Sequence, residues 1–204
     1  MGPAGVAPHQ KKAARQRARL IFLDETGLFL TPLVRRTWAP RGQTPILRTH
    51  TRHHRHLSVI GALSLSPRRR HLEWYLQFHA DRSIRQEQVI QFLRELLRHE
   101  RGAIILLWDR LNVHRGRKVQ EFLQRHPRLQ TEFFPPYAPE LNPIEYGWAY
   151  FKGHTLGNYC PDDLDELHAT VQELTPQIQN NQSLLRGFVA ASNLPIRLPA
   201  SIGH

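Results

Sequence analysis
The order of apolar runs predicts an α/β fold with a mixed, five-stranded sheet flanked by helices. Two observations carry that expectation. Three strand-like runs come first, and helical stripes then alternate with strand-like runs. Apolar residues make up 40% of the 204, enough for one domain with a real core.

Leu20–Leu23 is a short apolar run ending at Asp24 and reads as a buried strand. Gly42 and neighbouring prolines punctuate the next segment. Leu57–Leu65 and Leu72–Phe78 read as the second and third strands of an antiparallel meander. Ser83 with Gln86 resembles a capping box, and Val89, Phe92, Leu93, Leu96 and Leu97 form a helical stripe after it. Ala103–Trp108 is a strongly apolar strand ending at Asp109. Val119, Phe122 and Leu123 predict a second helix, stopped before Pro127. Thr131–Phe134 reads as the fifth strand. After a proline-rich loop, Asn142-Pro143 starts a helix carrying Glu145, Trp148, Ala149 and Lys152. Leu164, Leu167, His168, Val171 and Leu174 give the last helical stripe. The expected organisation is a basic N-terminal segment or linker at 1–19, a catalytic domain at 20–180 and a C-terminal tail at 181–204.

No apolar run approaches the ~20 residues that span a bilayer, so no membrane partner is expected. The basic N-terminus lacks the apolar core of a signal peptide. Cys160 is the only cysteine, which rules out an internal disulfide and fits a reducing compartment. The net charge is +11 and unevenly spread. Between Thr26 and Leu72 lie nine arginines (Arg35, Arg36, Arg41, Arg48, Arg52, Arg55, Arg68, Arg69 and Arg70) and no acid. Guanidinium forks match phosphate and gain from counterion release, so this stretch points to nucleic acid rather than to solubility alone.

Two acids, Asp24 and Asp109, end apolar strands, and the carboxyl edge of an α/β sheet is where ligands bind. Glu145 begins a helix beyond a further strand. Phosphoryl transfer without a covalent intermediate uses two divalent cations, ~3.5–4 Å apart, held mostly by carboxylates. Each acid also has a structural reading. An Asp after a strand opens turns, and Asn142 with Glu145 fits a helix N-cap and its N3 acid. Composition and spacing alone leave both readings open.

The words around the acids are more specific. Leu23-Asp24-Glu25-Thr26-Gly27, Trp38-Ala39-Pro40-Arg41-Gly42, Leu107-Trp108-Asp109-Arg110-Leu111-Asn112-Val113-His114 and Pro135-Pro136-Tyr137-Ala138-Pro139-Glu140-Leu141-Asn142-Pro143-Ile144-Glu145 follow one another. Together they resemble the DDE transposases of the mariner-like superfamily, in its bacterial insertion-sequence branch, over roughly residues 18–180. Thirty-five residues separate Asp109 from Glu145, close to that branch's usual spacing. The resemblance implies a ribonuclease H-like fold and a catalytic, metal-binding triad of Asp24, Asp109 and Glu145. It implies two Mg2+ ions, with Mn2+ as a substitute, cleavage at transposon ends, and attack of the freed 3′-hydroxyl on target DNA, typically at a TA step. It also implies a homodimer on DNA, a bacterial cytoplasmic location, and a helix-turn-helix region for end recognition that the residues before Leu20 are too few to hold. Two rivals stand beside it: another ribonuclease H-like nuclease such as a resolvase, and a truncated remnant that binds DNA by charge alone.

The expected DNA contacts are Arg35, Arg36, Arg41, Arg52, Arg55, Arg110, Arg115 and Lys152, with Arg117 and Lys118 as further phosphate holders. His50, His53, His54 and His56 suit a DNA-facing hairpin better than zinc, since no cysteine is near and the spacing is irregular. His114 has a DNA or water role and a packing role equally open. Trp148 is expected in the core, and Trp38 against the Pro40–Gly42 turn. Glu140 competes with Glu145 as third acid, but it sits in a loop, whereas Glu145 is carried in the first turn of a helix.

Overall fold
The computed structural model describes residues 12–13, 16–48 and 55–200. Five strands form one mixed sheet in the order β3-β2-β1-β4-β5: β1 (Arg19–Phe29), β2 (His56–Leu65), β3 (Leu72–Ala80), β4 (Ile104–Trp108) and β5 (Leu129–Phe133). The first three make the expected antiparallel meander, and β4 and β5 then add in parallel on the other side of β1. Among the described residues six α-helices alternate with and follow the last strands: α1 (Gln86–His99) before β4, α2 (Asn112–Arg115) and α3 (Arg117–Gln124) between β4 and β5, and α4 (Pro143–Tyr150), α5 (Leu164–Gln179) and α6 (Gln182–Ala191) after β5. This is the ribonuclease H-like arrangement anticipated from the motifs.

Strand alternation divides the core in two. Leu20 and Phe22 of β1 point to the face covered by α4, α5 and α6, while Ile21 and Leu23 point to the face covered by α1 and α3. Because the central strands are covered on both sides, they read in sequence as continuous apolar runs rather than alternating ones.

On the α4 face, Trp148 meets Trp74 of β3 edge to face, with ring centroids 5.5 Å apart. Two glycines make room for this pair. A Cβ on Gly61 would lie 2.6 Å from Trp148 Cη2, and one on Gly147 would overlap the Trp74 ring.

The structure departs from the sequence expectations at several points. β1 does not end at Asp24 but runs on to Phe29, because β2 continues to pair with it as far as His56. β5 covers Leu129–Phe133 rather than Thr131–Phe134. The α1 cap lies two residues later than Ser83: Arg85 is the N-cap, and Gln88 Oε1 accepts its backbone N–H at 3.1 Å. The Gln86 side chain instead accepts the N–H of Lys118, tying α1 to α3. The segment expected as a C-terminal tail contains α6, whose Leu185, Phe188 and Val189 are core residues. Trp38 does not pack against the Pro40–Gly42 turn: it is fully exposed, as Val34 and Ile46 largely are. Arg52, His50, His53 and His54 lie outside the described residues.

Candidate active site
The parallel register of β1 and β4 ends at the pair Phe22 and Leu107. Two residues further along stand Asp24, still on β1, and Asp109, just past the end of β4. One register therefore brings both acids to the same height on neighbouring chains, where β4 stops and β1 continues with β2 alone. Between Asp109 and Glu145, α2, α3 and β5 lead the chain away and back. Phe134 N–H donates to Trp108 O at 3.0 Å, holding the exit of β5 against the end of β4. From there Pro135–Ala138 and a 3-10 turn, Pro139–Leu141, carry the chain into α4.

Pro143 opens α4 at its first position, where the missing N–H costs nothing, and Glu145 falls in the first turn. Asn142 does not cap the helix through its side chain, as the sequence had suggested. Its side chain is buried, and Oδ1 has no hydrogen-bond partner among the described residues. Asp24, Asp109, Asn142 and Glu145 all line one cavity of about 360 Å³, walled by Phe134–Pro139. Glu140 does not line it. Glu140 is exposed and borders a shallow depression on the other side of Glu145.

Asp24 is nearly buried, and its Oδ2 accepts the indole N–H of Trp148 at 3.0 Å. The expected core tryptophan thus also binds the first acid, one turn after the third acid on the same helix. Burial, and then the like charges of Glu145 and Glu25, push the Asp24 carboxyl up to about 8. Asp109 is held the other way. Burial would raise it, but hydrogen bonds from His114 and from the Leu111 N–H outweigh that and lower it. His114 itself is fully buried. Burial alone would depress it, yet its bonds to Asp109 and Glu25 lift it to about 10.

Of the expected DNA contacts, Arg110 sits on the cavity wall, with Nε 3.4 Å from Phe134 O and its guanidinium over the Phe133 ring. Lys152 lies in the wider helical turn that follows α4, Phe151–Thr155, half-buried and bonded to Thr26 Oγ1. Burial lowers its pKa, against the pull of Glu145 and Asp24. Arg35 and Arg36 lie with His154 along an open cleft beyond α4. The arm carrying them is fastened there by Asn158, which bonds both N–H and C=O of Arg35. Arg41 and Arg115 are exposed. Arg55 is engaged by Asp81 in an ion pair at 2.8 Å, as Arg117 is by Glu121 and Lys118 by Glu87.

The model of the family described as DDE superfamily endonuclease matches residues 19–168, most of the chain, including all three acids. The chain belongs to the DDE superfamily endonucleases. No curated protein matches this DDE chain. Among solved structures, it is similar to the Mos1 transposase paired-end complex with left transposon end (18% identity, TM-score 0.60, 93% of this chain and 56% of that one). It is likewise similar to the Mos1 mariner paired-end complex with Mg (17%, TM-score 0.61, 96% and 62%). The isolated catalytic domain of Mos1 mariner transposase also matches (16%, TM-score 0.51, 93% and 91%). At such identities the likeness is one of fold, and the DDE chain spans 56–62% of the length of the chains in the two complexes. Among its described residues no helix is long and apolar enough to cross a membrane.

Whether this DDE site suits divalent ions is a question of donor chemistry. Its acids offer only carboxylate oxygens, the donors preferred by Mg2+ and Mn2+. The raised Asp24 carboxyl marks a buried cluster of negative charge that a cation would relieve. Among the described residues, however, no three Asp, Glu, His or Cys side chains already close on one point. The three acids share one cavity.

A pH dependence follows. An acid raised on folding, here from 3.8 to about 8, stabilises the fold below its unfolded value and gives that stability up as pH rises through the folded one. His114, raised from 6.5 to about 10, acts in the same sense over higher pH. In chelator, the melting temperature is expected to fall as pH rises through about 8, and Mg2+ is expected to restore more of it at the alkaline end. Thermal melts with and without Mg2+ check this; a magnesium effect independent of pH contradicts it.

Proposed function
We propose that this chain is the catalytic domain of a mariner-like transposase, which cuts DNA at transposon ends and joins the freed 3′-hydroxyl to target DNA. The observation that carries the reading is the single cavity lined by Asp24, Asp109 and Glu145, in the family's order and on its fold. The three carboxylates would hold two divalent ions, Mg2+ or Mn2+, which when bound polarise the attacking and leaving oxygens at the scissile phosphate. The chain's own residues do the rest. Trp148 fixes Asp24 against the helix that bears Glu145. Arg110 stands at the wall where a phosphate entering the cavity would pass. Lys152 places a cation near Asp24 and Glu145. DNA is the partner, as transposon end and as target, bound by a homodimer and aided by a separate helix-turn-helix region.

The test is a cleavage and strand-transfer assay with this chain joined to an end-binding region. Cutting at the transposon end that needs Mg2+ or Mn2+ and stops in chelator supports the reading; end cleavage that persists in chelator overturns it.

DNA binding by the chain alone is expected to be tolerant of sequence and sensitive to salt. Contact with about six phosphates costs about a thousandfold in affinity between 50 and 200 mM salt. Arg35→Ala with Arg36→Ala is expected to reduce the slope of log affinity against log salt by nearly 2, about 0.9 per lost phosphate contact. Fluorescence anisotropy over a salt series measures it, and an unchanged slope removes the Arg35–Arg36 cleft from the DNA path.

A further inference from the structure
His114 is the only buried histidine among the described residues, and both of its ring nitrogens face carboxylates. Nδ1 lies 2.9 Å from Asp109 Oδ1 and 3.2 Å from Asp109 O, and Nε2 lies 2.8 Å from Glu25 Oε1. Each nitrogen therefore donates. The ring is stacked flat on Trp108, 4.3 Å between centroids and 6° between planes, so it has no freedom to turn away. Glu25 adjoins Asp24 on β1, and strand alternation sends the two side chains to opposite faces of the sheet. Asp24 enters the cavity directly, while Glu25 reaches the site from behind, through His114.

Asp109 needs such support. It stands just after the last residue of β4, on neither strand nor helix, and its side chain is partly exposed. The Leu111 N–H, at 3.0 Å, and the His114 ring both end on Oδ1, whereas no hydrogen bond among the described residues reaches Oδ2. One oxygen is anchored and the other is left free.

We infer that Glu25 and His114 are positioning residues that aim Asp109 Oδ2 at the metal. The inference rests on the reading of Asp109 as a metal ligand. Partners that orient a ligand in this way typically change metal affinity by about 10–100-fold when removed.

The experiment is direct Mn2+ binding to the full chain, read from the free-ion signal in electron paramagnetic resonance, with near-ultraviolet circular dichroism as the check on fold. His114→Asn places an amide donor near the Nδ1 position and keeps the bond to Asp109. His114→Gln places it near Nε2 and loses that bond. His114→Gln is expected to weaken Mn2+ binding by about tenfold or more, His114→Asn to recover most of that loss, and Glu25→Gln to weaken binding severalfold, without loss of fold. Asp109→Asn separates the two levels of the argument. If Asp109→Asn binds Mn2+ like the parent chain, the metal reading itself fails. If Asp109→Asn loses binding while His114→Gln and Glu25→Gln keep it, the positioning role fails. Equal losses in the Asn and Gln variants, tracking a fall in melting temperature, also overturn it, since a packing role alone would not distinguish the two amides.

Discussion

Glu145→Gln is expected to abolish metal-dependent cleavage of transposon-end DNA, while Glu140→Gln retains most of it. The amide keeps the size and hydrogen-bonding reach of the carboxylate but removes its charge, so the fold is spared. Glu145 lies in the first turn of α4 and lines the cavity with Asp24 and Asp109, whereas Glu140 does not line it. Loss of one ion's Lewis-acid contribution, several kcal/mol of transition-state stabilisation, corresponds to a fall of roughly a thousandfold in rate. Single-turnover cleavage by the chain joined to an end-binding region reads this out, with bulk DNA binding and circular dichroism as controls. Cutting by Glu145→Gln at the parent rate would remove Glu145 from the third-acid position; a matching loss in Glu140→Gln would show that the turn before α4 matters as a unit.

The second large effect is expected at a residue that touches no substrate. Gly61 pairs with Asp24 across β1 and β2, and the edge of the Trp148 ring occupies the space where a Cβ would be. That ring cannot retreat easily, because Trp74 holds its other side and its N–H is bound to Asp24. Leu76 Cδ2, at 2.8 Å from the same Cβ position, closes the remaining direction. Gly61→Ala should therefore cost about 1–3 kcal/mol, the usual range for overpacking a core. For a chain of this size that is roughly 2–10 °C in melting temperature. It should also weaken Mn2+ binding, since the displaced indole releases Asp24. Gly187→Ala is the control. Nothing lies within 4 Å of the added carbon, and an alanine inside α6 favours the helix, so its melting temperature should stay level or rise slightly. Unchanged stability and metal affinity in Gly61→Ala would mean that the tryptophan pair repacks freely.

The alternation of elements was legible because it depends on local pattern, whereas the three acids, which spacing alone left open, were singled out by the family's motifs. Apolar runs and helical stripes mark where strands and helices lie, and Pro143 marks where α4 starts. What was illegible depended on partners distant in the chain. Thr26 and Gly27 lie beyond the apolar run that ends at Asp24, yet β2 draws them into β1. Ser83 looks like a cap, but the helix entry is decided by Gln88 and by the pull of α3 on Gln86. Asn142 has the right character for a cap, yet its buried side chain makes no cap bond. The tail expected after residue 180 is helical because Trp74 and the core it belongs to offer Phe188 a surface. Glu25 had a faint signal: an acid next to a candidate ligand on a strand must face the opposite side. Its meaning came only with His114, eighty-nine residues away.

The sheet order has a consequence for synthesis. β1, β2 and β3 pair with their neighbours in sequence, so the meander can form as soon as residue 80 is available. β4 joins β1 through pairs such as Phe22 and Leu107, and α4 arrives later still. Such distant closures are the slow ones. The acid-free, arginine-rich stretch lies wholly within the early meander and the arm between its first two strands. During translation the arginine-rich stretch and Asp24 are therefore laid down with the meander, and the cavity that gathers the three acids is completed only when Asp109 and then Glu145 of α4 arrive.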